Sequence, residues 1–206
     1  PIKSSAASDV YKRQVLISGD LTYNGERTSH DEMKAALKKL QQKGKRVYVI
    51  TATHDYTTPR MPTYGIDKND KYIEVESVKR TQLLKYYGDF GYNNAIAKHK
   101  STMSYVAQLA DGYRLFALND DYGDPDCGFS DELMNWVKTE ANNAKRDGQY
   151  IIAMTHHPLV PPSPIYTAVA KGDMLNDYEL RSKQLSDLGF DFVLTGHTHM
   201  HLSLIH

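Results

Sequence analysis

Residues 191–199 read Asp-Phe-Val-Leu-Thr-Gly-His-Thr-His, an apolar run closed by Gly196, His197, Thr198 and His199. The run predicts a strand, and the two imidazoles stand at its end. Residues two apart on a strand share a face, so His197 and His199 aim at one spot if the strand continues and fan out around it if the chain turns. Either arrangement suits a metal ion, because neutral imidazole is a good ligand for zinc, iron and nickel, and glycine lets the backbone come close to what is bound.

The same pattern recurs upstream. Val15–Ser18 lead into Gly19 and Asp20, Arg46–Ile50 lead through Thr51, Ala52 and Thr53 to His54 and Asp55, and Tyr150–Met154 lead into Thr155, His156, His157 and Pro158. Four predicted strands thus end in ligand-type residues, and in open α/β sheets ligands bind outside the carboxyl ends of the strands. One shared site accounts for all four.

Between the strands the chain reads as helix. Ser29 and Glu32 have the spacing of a capping box, and Met33, Leu37 and Leu40 follow at helical intervals up to Gly44. Ser130 opens a second helix with Leu133, Met134, Trp136 and Val137 on its apolar side, and Asp177–Leu188 forms a third, closed by Gly189. Met103–Leu109 and Tyr113–Leu118 read as a strand pair turning at Asp111 and Gly112. The pattern predicts a layered α/β domain with its polar motifs on loops.

These motifs resemble the signature of the calcineurin-like metallophosphoesterases, which runs DxH, GD, GNH(D/E), HxP or HHP, and GHxH. Four of the five blocks stand here in the family order: Gly19–Asp20, Ala52–Asp55, His156–Pro158 and Gly196–His199. The stretch SGDLTYNGE, residues 18–26, resembles the bacterial phosphodiesterase-like branch. The resemblance implies a four-layer α/β/β/α sandwich and hydrolysis of a phosphate monoester or diester, with a slight preference for the diester. It implies two divalent or trivalent transition-metal ions (Mn, Fe or Zn), set about 3.5–4 Å apart to clamp a phosphate for attack by an activated water. Carried over, Asp20 bridges both ions, His156 and His197 bind the second, and His199 binds the first. His54 lies beside the phosphoryl group as the catalytic histidine, with Asp55 orienting its ring.

Two positions depart from the family pattern. Ala52 and Thr53 replace the usual Gly and Asn, so the Thr53 hydroxyl takes the place of an amide oxygen and weakens the second site. No Asp-x-His occurs within residues 1–19. The stretches SSAASDVYKRQ at 4–14 and HLSLIH at 201–206 resemble translated sequencing-adapter sequence. The expectation is a phosphoesterase domain over 15–200, truncated at both ends, with 1–14 and 201–206 non-native and His201 and His206 carrying no functional weight. Such a fragment holds one ion weakly or none and is a poor catalyst, while the intact parent is the enzyme. The rival is a metal-poor scaffold of the same fold without catalysis.

Composition bounds the remainder. The 206 residues, 40% apolar with zero formal net charge, suit one domain with a sizeable core and offer no basic stripe for nucleic acid. No apolar run reaches the roughly 18 residues that a membrane span needs. The expected partner is a small phosphate ester; compartment and oligomeric state stay open. The single Cys127 excludes an internal disulfide and lies far in sequence from the histidine blocks, which disfavours a cysteine nucleophile. There is no GxSxG elbow, P-loop or GxGxxG.

Several further residues carry two readings. Asp55–Val75 and the proline-rich Leu159–Asp173 read as irregular loops suited to lids or substrate binding, with Tyr64, Tyr92 and Tyr166 either lining a groove or packing. His157 either touches substrate phosphate or is hydrogen-bonded beside the metal. Asn24 either contacts substrate, braces Asp20 or forms a turn. His30 and His99 read as surface residues, and the acidic run Asn119–Asp126, which lacks EF-hand spacing, as a solvated turn.

Overall fold

The computed structural model describes residues 13–57, 64–121, 127–163, 165–166 and 171–199. The terminal stretches read as non-native thus fall almost wholly outside the described residues, as does most of the acidic run beyond Asp121. The chain divides into two compact units, Pro1–Asn94 and Ala95–His206. The fold is mixed α/β, as expected.

In the first unit β1 (Gln14–Ser18) pairs in parallel with β2 (Arg46–Ile50), joined through helix α1 (Arg27–Gln42). A parallel pair needs such a crossover, and the helix packs its apolar stripe back on the sheet. Val47, Val49 and Ile50 are buried with Leu37, Val78, Leu83 and Phe90. Helix α1 starts two residues before the Ser29 that the capping-box reading made its cap, with Glu26 at the N-cap position and no side-chain cap bond. Glu26 instead accepts from the amides of Tyr23 and Asn24, and Arg27 N–H donates to Glu76 O, so tertiary pairing sets the start. Asp55–Val75 is not wholly irregular: β3 (Tyr64–Ile66) and β4 (Tyr72–Glu74) form an antiparallel hairpin whose turn is organised by the Asp67 carboxylate. Helix α2 (Leu83–Tyr87) follows.

The second unit carries one five-stranded sheet in the order β5 (Ala97–His99), β6 (Ser104–Ala110), β7 (Tyr113–Ala117), β8 (Tyr150–Met154), β9 (Phe192–Leu194). Its first pairings are antiparallel, whereas β7, β8 and β9 run parallel. The carboxyl ends of those three strands therefore share one edge. Helix α3 (Asp131–Arg146) opens as predicted, with the Ser130 hydroxyl accepting from Leu133 N–H at 3.1 Å. Helix α4 (Tyr178–Asp187) follows Asp177 and ends ahead of Gly189, whose φ of +73° is a C-terminal glycine's conformation. Phe116, Leu118, Phe129, Leu133, Val137 and Ile151 form the core of this unit. No helix among the described residues is long and apolar enough to cross a membrane.

Candidate metal centre

Each unit presents polar residues at strand ends. In the first, β1 runs into Gly19 and Asp20, both at positive φ (98° and 53°). Left-handed backbone strains a residue with a Cβ and tends to gather at functional sites. The Asp20 carboxylate accepts from His54 N–H at 3.2 Å, fixing the turn after β1 to the Thr53–Asp55 turn after β2. Asp55 strengthens the tie: fully buried, it accepts from the amides of Leu21 and Thr22 through one oxygen and of Ala52 through the other. Burial pushes its carboxyl up to about 7, a rise to which neighbouring Asp20 adds and which the three amides oppose.

The His54 ring takes its partner elsewhere than Asp55. Its Nδ1 meets the Tyr23 carbonyl, which places the proton on Nδ1 and leaves Nε2 as the nitrogen able to take up or deliver one. Asp55 thus positions backbone while Tyr23 orients the ring. Thr53 lies at the head of the same turn, half-buried. Asn24 gives its amide to the Glu26 carboxylate, within the turn that the Thr22 hydroxyl closes by accepting from Gly25 N–H.

His30, read from sequence as a surface residue, is fully buried. Its ring bridges the Tyr87 hydroxyl and the Asp55 carbonyl, and burial lowers its pKa. His99 is likewise buried, against Trp136 and Thr102, with its pKa lowered by desolvation.

In the second unit the shared edge gathers the histidines. Gly196 N–H donates to His156 O at 2.9 Å and Thr155 N–H to Leu194 O at 3.0 Å, which locks the turn after β9 to the end of β8. The chain turns at once after β9: His197 and His199 stand at φ 65° and 52°. They fan apart. His197 Nδ1 faces His156 Nε2 at 3.2 Å, while His199 is exposed. Donor atoms of His156, His157 and His197 all lie within 4.8 Å of one another, and His199 is not among them.

Asp120 was missed by the sequence reading and holds this group together. It is fully buried, and its Oδ2 accepts from the Thr155 hydroxyl and from the amides of His156 and His157 at 2.7–3.1 Å. Its Oδ1 lies 3.3 Å from His157 Nδ1. Asn119–Asp121, all buried, are therefore no solvated turn. The signal was present, because β7 also ends an apolar run in polar residues at the edge used by β8 and β9. Cys127, remote in sequence, is close enough to the His157 ring to act on it electrostatically. Burial alone would lower the His157 imidazole, but Asp120 and Cys127 outweigh it and lift it to about 10. Against its own burial, Asp120 is held below the usual carboxylate range by His157. The His157 ring thus faces the Asp120 carboxylate at ion-pair distance, beside the other two rings.

The donor set fits a metal ion. Two imidazole nitrogens bound tetrahedrally at 2.0–2.1 Å stand about 3.3 Å apart, and His156 Nε2 and His197 Nδ1 stand at 3.2 Å. The model of the calcineurin-like phosphoesterases matches residues 9–201. The chain belongs to that family. Its fold matches a crystal structure of a dimetal phosphatase from Danio rerio, with a TM-score of 0.60 at 11% identity over 95% of this chain and 69% of the other. A comparison with curated proteins finds no match. Family membership makes the chemistry of this fold metal-dependent hydrolysis of phosphate esters.

Proposed function

We propose that the chain hydrolyses a small phosphate ester, a diester in preference to a monoester, with Asp20, Thr53, His156, His197 and His199 as metal ligands and His54 as the catalytic histidine. The observation that carries this reading is the His156–His197 nitrogen pair at 3.2 Å, fixed from beneath by Asp120. The positive φ of Asp20, His197 and His199 adds to it, since three proposed ligands are among the strained non-glycine residues. Bound ions supply Lewis-acid polarisation of the phosphoryl oxygens and a more acidic water. The chain's own part is to orient His54 through Tyr23, leaving Nε2 to pass a proton to the leaving oxygen. Asp55 holds the two loops of the first unit in register.

The 206 residues contain no Asp-x-His ahead of β1. Of the family's ligands this polypeptide then offers Asp20 and His199 to one ion and Asp20, His156 and His197 to the other. Three protein ligands hold a catalytic metal and two seldom do, so binding of one ion and weak turnover are expected. Thr53 favours a second reading, a scaffold that has shed catalysis, because a hydroxyl is a poorer neutral ligand than an amide oxygen.

Metal content and hydrolysis of bis(p-nitrophenyl) phosphate with added manganese or zinc separate the two. The hydrolase reading expects metal uptake and measurable turnover. His197→Ala should abolish both, and His54→Ala should retain metal while lowering turnover by about 10²–10⁴-fold. Loss of metal on His54→Ala would remove its assigned role. Metal-free, inactive protein, unrescued by Thr53→Asn and by an Asp-x-His strand joined ahead of β1, would establish the scaffold.

A further inference from the structure

Asp173 ends the short turn Lys171–Asp173, and the next two residues, Met174 and Leu175, are buried at 2% and 1% exposure. Leu175 N–H donates to Pro158 O at 3.0 Å and Asn176 N–H to Cys127 O at 2.8 Å. Asp173 is therefore tethered to the backbone that carries His156 and His157. Its own carboxylate is half exposed and faces two side chains: Oδ2 accepts from the Tyr166 hydroxyl at 3.2 Å, and Oδ1 lies 3.8 Å from His197 Nε2. The other nitrogen of that ring, Nδ1, is the one that faces His156.

The His197 ring thus lies between an imidazole on one side and a carboxylate on the other. An imidazole that gives one nitrogen to a metal carries its proton on the second. A carboxylate accepting from that N–H fixes the tautomer and ring orientation and makes the ring a better ligand. We infer that Asp173 is a positioning residue for His197, holding the proton on Nε2 so that Nδ1 is the donor nitrogen, with Tyr166 orienting the carboxylate. This rests on the metal-centre reading above. The separation of 3.8 Å is beyond hydrogen-bond range. A small rotation of the exposed Asp173 side chain, or one bridging water, completes the contact. The pairing itself is not legible in the sequence, since Asp173 sits in the proline-rich loop that reads as a lid or a binding loop.

The test is cobalt(II) titration of the whole 206-residue chain, followed by visible absorption and by calorimetry, for wild type, Asp173→Asn, Asp173→Glu, Tyr166→Phe and His197→Ala. Asp173→Asn should bind cobalt about 10–100-fold more weakly, with a changed absorption band and an unchanged metal-free melting temperature. Asp173→Glu should restore most of the affinity, and Tyr166→Phe should fall between Asp173→Asn and wild type. Wild-type affinity and spectrum in Asp173→Asn, with His197→Ala still defective, overturn the role of Asp173 alone. Cobalt binding that is absent from wild type, or unchanged in His197→Ala, overturns the metal-centre reading and this inference with it. A lowered metal-free melting temperature in Asp173→Asn without rescue by Asp173→Glu assigns the residue to structure and also overturns it.

Discussion

Asp120 and His157 show how a buried charge can be kept where desolvation opposes it. A lone carboxylate at full burial would protonate, yet Asp120 collects a hydroxyl, two amides and an imidazolium. The same pair gives the protein a pH dependence with a definite sign. His157 stands at about 10 in the fold and near 6.5 in an unfolded chain. Between those values the folded state holds a proton that the unfolded state has lost. Stability from this group is therefore complete below about pH 6.5 and declines as pH rises through 10. Metal-free thermal melts from pH 6.5 to 10 should fall steadily for wild type and more shallowly for His157→Gln, in which the titrating ring is gone. Parallel curves for the two proteins would mean that His157 is neutral in the fold.

At the scale of elements, β2 and β8 have the bounds that their apolar runs predict, and α3 begins at its predicted cap, because each of these signals is local. The misreadings share a physical cause. His30 and His99 sit among polar and charged neighbours in sequence, whereas periodicity places them inside: His30 precedes Leu37 by seven residues on one helix face, and His99 alternates with exposed Lys98 on β5. The start of α1 failed because Glu26 bonds the turn behind it and Arg27 bonds a residue far along the chain. Of the candidate site, the four histidine and aspartate blocks were legible as strand ends and so, in the polar end of β7, was Asp120, while the contacts of Tyr23 and Asp173 with the His54 and His197 rings arise only on folding.

The loop between β1 and α1 offers its own test. Gly25 has φ +77°, and a Cβ there would stand 2.6 Å from the Tyr56 Cα, backbone against backbone. Gly25 also accepts from Val78 N–H through its carbonyl. The left-handed conformation alone costs an alanine about 1–2 kcal/mol, and the collision must displace either this loop or the segment just after Asp55. Gly25→Ala should accordingly lower the denaturant midpoint with little change in m-value, whereas Gly44→Ala, also at positive φ but with open space around its Cβ, should pay only the conformational part. Equal destabilisation by the two would show that the loop yields freely.

At the scale of the whole molecule, folding and metal binding are linked. An ion that binds only the folded chain stabilises it by RT ln(1 + [M]/Kd), about 2.7 kcal/mol at a hundredfold excess over Kd. For a chain of 206 residues, each kcal/mol moves the midpoint by about 2–4 °C. Zinc or manganese at that excess should therefore raise the melting temperature by about 5–10 °C, and EDTA should reverse the rise. With the His156 and His197 nitrogens set 3.2 Å apart as one donor pair, the shift should saturate as a single binding event. His197→Ala should abolish it with little change in the metal-free midpoint, because the ring is only half-buried and alanine keeps a Cβ at the same positive φ. A biphasic rise would mean that two ions bind even without the Asp-x-His pair. No rise in either metal would mean that the close approach of His156 and His197 serves packing alone.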